Sequence, residues 1–331
     1  MTKSATREAA DKVTFTQTEV TSAITAGDTA ARAGRKNFII NGGFDVWQRG
    51  TSLTTGSYAS DRWVSAGSMG TASRQDAINE DAISSKYYMR QIITSSALNN
   101  EILQRVEGVG TLAGKTVTLS FMARSTAGTS QPLNVKLYQN FGTGGSPSAL
   151  VGATLTSGTV PYTPTTSWVK YSFTYDLPSI SGKTLGSNGN DFLWVRVGQY
   201  TTTATDTSLD IAEVQLELGS VATDFEHRSF GEILADCQRY YEIIKAASAW
   251  SWTSSTGARI YGQFRTEKRA SPSVSGSPII IGNGNSAYTQ SSFAGPSTTA
   301  YGFDGYCYNF TSVTTARPYT VLSTMNFDAE L

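Results

Sequence analysis

A single histidine, His227, stands in 331 residues, within the run Asp224-Phe-Glu-His-Arg228. An imidazole can act as a general base near neutral pH, but a hydrolytic triad also needs a nucleophile beside it and an acid that orients it. No Gly-x-Ser-x-Gly elbow occurs. His227 instead falls just before Ser229 and Glu232, a Ser-x-x-Glu pattern that marks a helix start, so the spacing predicts a structural or surface role. Asp45, Asp61, Glu101, Asp191, Asp210 and Glu213 could serve a paired-carboxylate cleavage of glycans, yet nothing in their spacing selects a pair. Glu213 and Glu217 alternate on the polar side of one strand pattern and read as ordinary solvated residues. Cys237 and Cys307 have no metal or redox spacing, and Cys237 falls on an apolar helix stripe as a buried, reduced thiol. Phosphate-cradling glycine loops, zinc spacings and EF-hand patterns are absent. No cofactor is expected; a structural calcium ion held by loop oxygens is compatible with the composition but has no motif behind it.

Aromatic residues remain as candidates for chemistry of another kind, stacking on a ligand. Trp63, Trp168 and Trp194 lie in or beside strand patterns and read as core. Trp250 and Trp252 are separated by one serine, so alternation puts them on one face of a strand. Tyr301, Phe303, Tyr306 and Tyr308 sit in the glycine-punctuated run YGFDGYCYNF. These six are the candidates for glycan or receptor contact, against the plainer alternative that they fill a core or a subunit interface.

The elements that must position such residues are mostly strands. Val117, Leu119, Phe121 and Ala123 alternate with polar neighbours, as do Leu133, Val135 and Leu137, and Val169, Tyr171, Phe173 and Tyr175. Phe192–Val197 is apolar on both faces except at Arg196, as in a central strand. Ala212, Val214, Leu216 and Leu218 point one way, with Glu213, Gln215 and Glu217 opposite. Asn37–Trp47 reads as strand, glycine turn, strand. Phe230, Ile233, Leu234, Cys237, Tyr240, Tyr241 and Ile244 then recur at helical spacing, predicting a helix of about four turns. After residue 246, β texture returns. The fold expected is all-β: a jelly-roll β-sandwich over 37–225, a linking amphipathic helix over 226–245, and a smaller C-terminal β-domain over 246–331. Residues 1–36 form a separate N-terminal segment, either a short helix or a disordered tail.

Charged residues are 16% of the chain and the net charge is zero. That leaves no electrostatic case for nucleic-acid binding, whose phosphate contacts need clustered cations. No apolar run approaches the roughly 20 residues of a membrane span, and the N-terminus lacks a signal-peptide core.

Four stretches carry a resemblance: NFIINGGFDVWQRG (37–50), YASDRW (58–63), DIAEVQLELGSVATDFEHRSFGEILADCQRYY (210–241) and FRTEKRASPSV (264–274). Together they resemble bacteriophage tail fibre and receptor-binding tail proteins, and the first domain is similar to the jelly roll of carbohydrate-binding modules. The resemblance implies a non-enzymatic virion tail protein that attaches to a host surface glycan or another receptor. It implies a homotrimer docked to other tail proteins through residues 1–36, with the C-terminal domain outward. A polysaccharide-degrading tailspike and a purely architectural tail protein are the alternatives.

Overall fold

The computed structural model describes residues 35–331 apart from positions 55, 59, 67–70, 94–99, 126–131, 159–161, 200–206, 245–247, 252–256, 277–279, 283–286, 290–291, 309–317 and 322–324. The expected β-sandwich is present. Its larger sheet has the order β1 (Ser52–Thr54), β3 (Thr71–Asp76), β4 (Tyr87–Ile93), β12 (Thr207–Leu218), β6 (Thr116–Ser125), β10 (Val169–Asp176), β9 (Thr154–Ser157). The smaller has the order β2 (Val64–Ala66), β5 (Asn100–Glu107), β11 (Phe192–Gln199), β7 (Leu133–Asn140), β8 (Val151–Gly152). Their pairings are antiparallel. The facing sides of the two sheets interdigitate Leu119, Phe121, Val135, Leu137, Val195, Val197 and Trp63 into one core. Period-two alternation along each strand supplies this inner face, and β11 is a central strand, as its sequence predicts.

One residue breaks the alternation. The register of β12 on β6 slips between Ala212 and Gln215, and Glu213 sits at φ +55°. The extra residue of a bulge reverses which side chains face inward. Leu209 and Ile211 are core before it, Val214 and Leu216 after it, while Ala212 packs outside against Tyr88, Met122 and Trp168. The uninterrupted face expected from Ala212 to Leu218 is therefore two faces joined at a kink.

Residues 37–50 form turns and irregular chain rather than two strands. They fill the slot that the bulge opens. Phe38 N donates to Leu216 O, Leu216 N to Asn37 Oδ1, and Val214 N to Gly42 O. A Cβ on Gly42 would lie 2.1 Å from Val214 O, so only glycine permits this approach.

The connector after β12 is docked by the carboxylate expected to be merely solvated. Glu217 is buried and accepts from Thr223 N (2.6 Å) and Thr223 Oγ1 (2.7 Å), while Gln215 Oε1 accepts from Glu226 N (2.9 Å). Ser229 and Glu232 form the predicted capping box and start helix α1 (Phe230–Gln238). Ile233 and Cys237 of its inner stripe pack on Val46, and burial pushes the Cys237 thiol well up. The helix ends about two turns before the expected boundary at 245. Tyr241–Ile244 is instead a strand, β13, paired with β22 (Met325–Asp328). Aromatic and β-branched residues tolerate both spacings, and an available partner strand decides between them.

β13, β22 and β16 (Ser273–Gly276) make a three-stranded sheet, in the order β13-β22-β16. Beyond it lies a seven-stranded sheet in the order β18 (Ala287–Thr289), β17 (Ile280–Gly282), β21 (Pro318–Val321), β14 (Ser248–Ser251), β15 (Gly257–Gln263), β20 (Gly302–Tyr308), β19 (Ser292–Thr298). The second unit is thus β-structured, as expected, and α1 is the single helix among the described residues. One feature was not expected: β22 returns the chain's last described residues to the sandwich. Glu330 pairs with the fully buried Arg62 and lies 3.4 Å from Arg49, whose guanidinium stacks 3.5 Å from the Tyr241 ring centroid.

Asp61 lies inside this joint and accepts from Gln48 N (2.6 Å) and Gln48 Nε2 (2.8 Å). Burial pushes its carboxyl up to about 6 from 3.8, against the pull of the Gln48 donors and Arg49. A folded-state value above the unfolded one makes a contribution that is complete below about pH 4 and lost as pH rises through about 6. Asp61→Asn mimics the protonated group. Between pH 4 and pH 7, wild type should lose on the order of 3 kcal/mol relative to that variant in urea unfolding. A pH-independent difference between the two would contradict this assignment.

Candidate functional site

Strand β11 carries aromatic, aromatic, arginine and glycine at alternate positions 192, 194, 196 and 198, all on the face turned away from the sandwich core. The antiparallel registers bring partners to each. Trp194 stands between Arg105 and Tyr138, Arg196 between Leu103 and Lys136, and Gly198 between Glu101 and Asn134. Directly opposed side chains on one sheet face are near neighbours, so residues far apart in sequence form one surface.

Arg196 organises this surface. Its guanidinium lies 4.9 Å from the Trp194 ring centroid and 5.7 Å from that of Tyr138. Its Nε donates to Glu101 Oε2 at 2.6 Å, and the other Glu101 oxygen accepts from Asn134 Nδ2 at 2.9 Å. Glu101 is fully buried, whereas the Arg196 side chain keeps 19% exposure. The buried carboxylate therefore anchors a guanidinium that remains accessible. Phe192 meets Trp194 edge-on at 5.9 Å and carries Arg105 at 5.1 Å. Trp194 is half-buried, and its Nε1–H has no acceptor among the described residues. A Cβ on Gly198 would fall 2.0 Å from Asn100 O, which keeps the floor beside Glu101 bare.

Such a surface offers flat apolar faces with a few fixed polar groups, the composition of small-ligand sites. Rings can take the apolar faces of a ligand while Arg196 and Lys136 meet its oxygens. It is poorly suited to carboxylate-pair hydrolysis, because Glu101 faces a guanidinium and an amide rather than a second acid across a gap.

His227 does not form a triad. Its Nε2 is 2.9 Å from Ser84 Oγ, and Ser84 Oγ donates to Glu213 Oε1 at 2.5 Å. The acid bonds the serine, and among the described residues no carboxylate hydrogen-bonds the imidazole, the reverse of what nucleophile activation needs. The structural role expected of His227 fits this arrangement, in which Glu213 ties the bulge to the Ser84–Ser85 backbone.

The sequence-predicted aromatics separate. Phe303 is core: it is buried, 4.6 Å from the Phe327 ring and 5.8 Å from that of Phe264. Its candidacy as an exposed contact is corrected accordingly; a strand residue on the inner side of a small domain is claimed by that domain's packing. Tyr301 is exposed in the turn before β20. Trp250 in β14 and Tyr306 in β20 both pair with Arg259 of β15, which brings them to one row across the sheet. Tyr308 pairs with Gly257. Trp252 lies outside the described residues. Trp63 is core as expected, but Trp168 and Trp194 stand on the outer faces of the sandwich. Trp168 carries Arg124 at 4.6 Å, donates from Nε1 to Glu80, and meets Tyr88 edge-on. The signal for the Trp194 surface was present in the alternation Phe192-x-Trp-x-Arg196, but Glu101 and Asn134 join it only through strand register.

No protein-family model matches the chain, and no curated protein does. Among solved structures, the chain is similar to a putative sugar binding protein from Bacteroides thetaiotaomicron, at 13% identity over 56% of this chain and 100% of that one, TM-score 0.34. It is similar to the CBM22-2 xylan-binding domain of Paenibacillus barcinonensis Xyn10C, at 17% identity over 48% and 92%, TM-score 0.34. It is also similar to the enzymatically active domain of bacteriophage CBA120 tailspike protein 4, at 12% identity over 55% of this chain and 21% of that one, TM-score 0.32.

Arg196→Met should destabilise the protein by about 3 kcal/mol, because Glu101 is then left buried without its counter-charge. Arg196→Met with Glu101→Gln should regain most of that loss in a denaturant melt. Additive losses in the double variant would contradict the pairing.

Proposed function

We propose that this chain is a glycan-binding protein that holds a saccharide on the outer face of β5, β11 and β7, and that it acts without catalysis as a receptor-binding component of a bacteriophage tail. The observation that carries the first part is the accessible Arg196 guanidinium, flanked by the Trp194 and Tyr138 rings and fixed from below by buried Glu101. Sugar rings have apolar faces and a rim of hydroxyls, and this surface presents the matching pair of features. Rigid placement on strands limits the ordering cost of binding. The second part rests on the motif resemblance of residues 37–63 and 210–274. In this reading the protein is a homotrimer on the virion tail, joined to other tail proteins through residues 1–36 and facing a glycan of the host surface.

The test is adsorption of the purified full chain to host cells and to their extracted polysaccharide. Trp194→Ala and Tyr138→Ala should each weaken binding by about tenfold or more, as removal of a central aromatic anchor does, while Trp250→Ala leaves it near wild type. Normal adsorption by Trp194→Ala, with loss in Trp250→Ala or Tyr306→Ala, would move the receptor site to the C-terminal domain. Release of new reducing ends would overturn the non-enzymatic part.

A further inference from the structure

Two cations and one carboxylate beside helix α1 form no direct ion pair among the described residues. Arg74 and Lys86 both lie over the Tyr87 ring, at 4.5 and 5.0 Å from its centroid, and neither forms an ion pair among the described residues. Asp45, which lines the same groove as they do, accepts no hydrogen bond among the described residues. Burial pushes its carboxyl up, and Lys86 and His227 draw it back down. These groups border a groove of about 520 Å³ whose apolar wall includes Trp47, Phe230 and Leu234. The groove shares Asp45, Lys86 and Phe230 with a cleft of about 220 Å³ that reaches Ser84 and His227. Phe230, the first residue of the helix, leaves 58% of its surface exposed over this wall.

Trp47 and Leu234 also pack against the cores behind the groove, but the packing leaves Arg74, Lys86 and the Phe230 ring uncommitted. Val46, Ile233 and Cys237 close the contact between helix and sandwich on the inner side, and Arg49 and Arg62 hold the second unit through Glu330. A ring left in solvent, two cations without an ion pair and an acceptor without a hydrogen bond, all lining one groove, have the makings of a ligand site.

We propose that this groove binds a pyranose bearing a carboxylate, an acidic sugar of the uronic or sialic class. The sugar carboxylate lies between Arg74 and Lys86, where charge-assisted hydrogen bonds are stronger than neutral ones. The ring lies against Trp47 and Phe230. Its hydroxyls donate to Asp45, which lines the same groove and disfavours a carboxylate beside itself. The site is separate from the β11 face and does not depend on it.

The experiment is calorimetric titration of the full chain with tetragalacturonate and with 3′-sialyllactose, using tetragalactose and lactose as the uncharged controls. At least one acidic probe should bind, about tenfold or more tightly than its neutral counterpart, and binding should weaken as salt rises. Arg74→Gln with Lys86→Gln should lower that affinity by about tenfold or more, as should Phe230→Ser; Trp194→Ala should not change it. Arg74 and Lys86 form no ion pair among the described residues, so the double variant should still fold and give a cooperative melting curve. Absence of binding by both acidic probes overturns the proposal. So does equal binding of the neutral sugars, or loss of binding in Trp194→Ala with normal binding in the Arg74 and Lys86 variant.

Discussion

The contact on which the two parts of the molecule depend is the buried ion pair between Arg62 and Glu330. Arg62 sits at φ +72° with its side chain 1% exposed. Its Nη2 donates to Arg105 O in β5 at 2.6 Å, and its guanidinium stacks 3.4 Å from the Tyr240 ring centroid. One side chain therefore joins a sandwich strand, the end of the helix and the return strand of the second unit. Desolvating two charges is costly, and such pairs survive where geometry and further hydrogen bonds compensate. Here they also fix which surfaces meet. Asp61, Gln48, Arg49 and Tyr241 extend the same network, and Gln48 Nε2 donates to Tyr241 O at 2.9 Å.

That joint explains where the recurrent-looking motifs fall. Asn37–Gly50, Tyr58–Trp63 and Glu213–Tyr241 converge on it, from the Gly42 contact with the β12 bulge to the docking of Thr223 by Glu217. They are occupied mainly with architecture, apart from the groove at Trp47 and Phe230. The proposed glycan face of β5, β11 and β7 lies elsewhere. Strand β5 runs from Asn100 to Glu107, and Glu107 meets Arg239 (3.1 Å) and Tyr240 (2.8 Å) at the joint. Glu101 is therefore about 20 Å from that end at the rise of an extended strand. On the proposed reading, ligand contact and assembly are separated along the same strands, so the polar floor of the β11 face can vary without disturbing the joint.

Much of the fold was legible because it is local. Alternation in 117–123, 133–137 and 192–197 located strands and their inner faces, and Ser229 with Glu232 located the helix start. What escaped reading is set by distant partners. Glu213 gives no local sign that it is a bulge residue, yet it reverses the faces of β12. Tyr240–Ile244 suits helix and strand alike, and β22, far along the chain, settles the choice. Glu217 looked solvated because the connector that covers it is visible only in three dimensions. The same holds for the site. Trp194 and Arg196 share a strand and a face, but their meaning comes from Glu101 and Asn134 on flanking strands. The six aromatics singled out in the C-terminal domain were chosen for local composition, and at least Phe303 among them is spent on packing.

Hydrogen–deuterium exchange of the full chain, with and without host-cell polysaccharide, tests the central claim most directly. Saccharide bound on the sandwich should slow exchange in peptides covering residues 100–107, 133–140 and 192–199, and leave 248–263 and 302–308 unchanged. Protection confined to the C-terminal strands, with β5, β7 and β11 unaffected, would contradict the account.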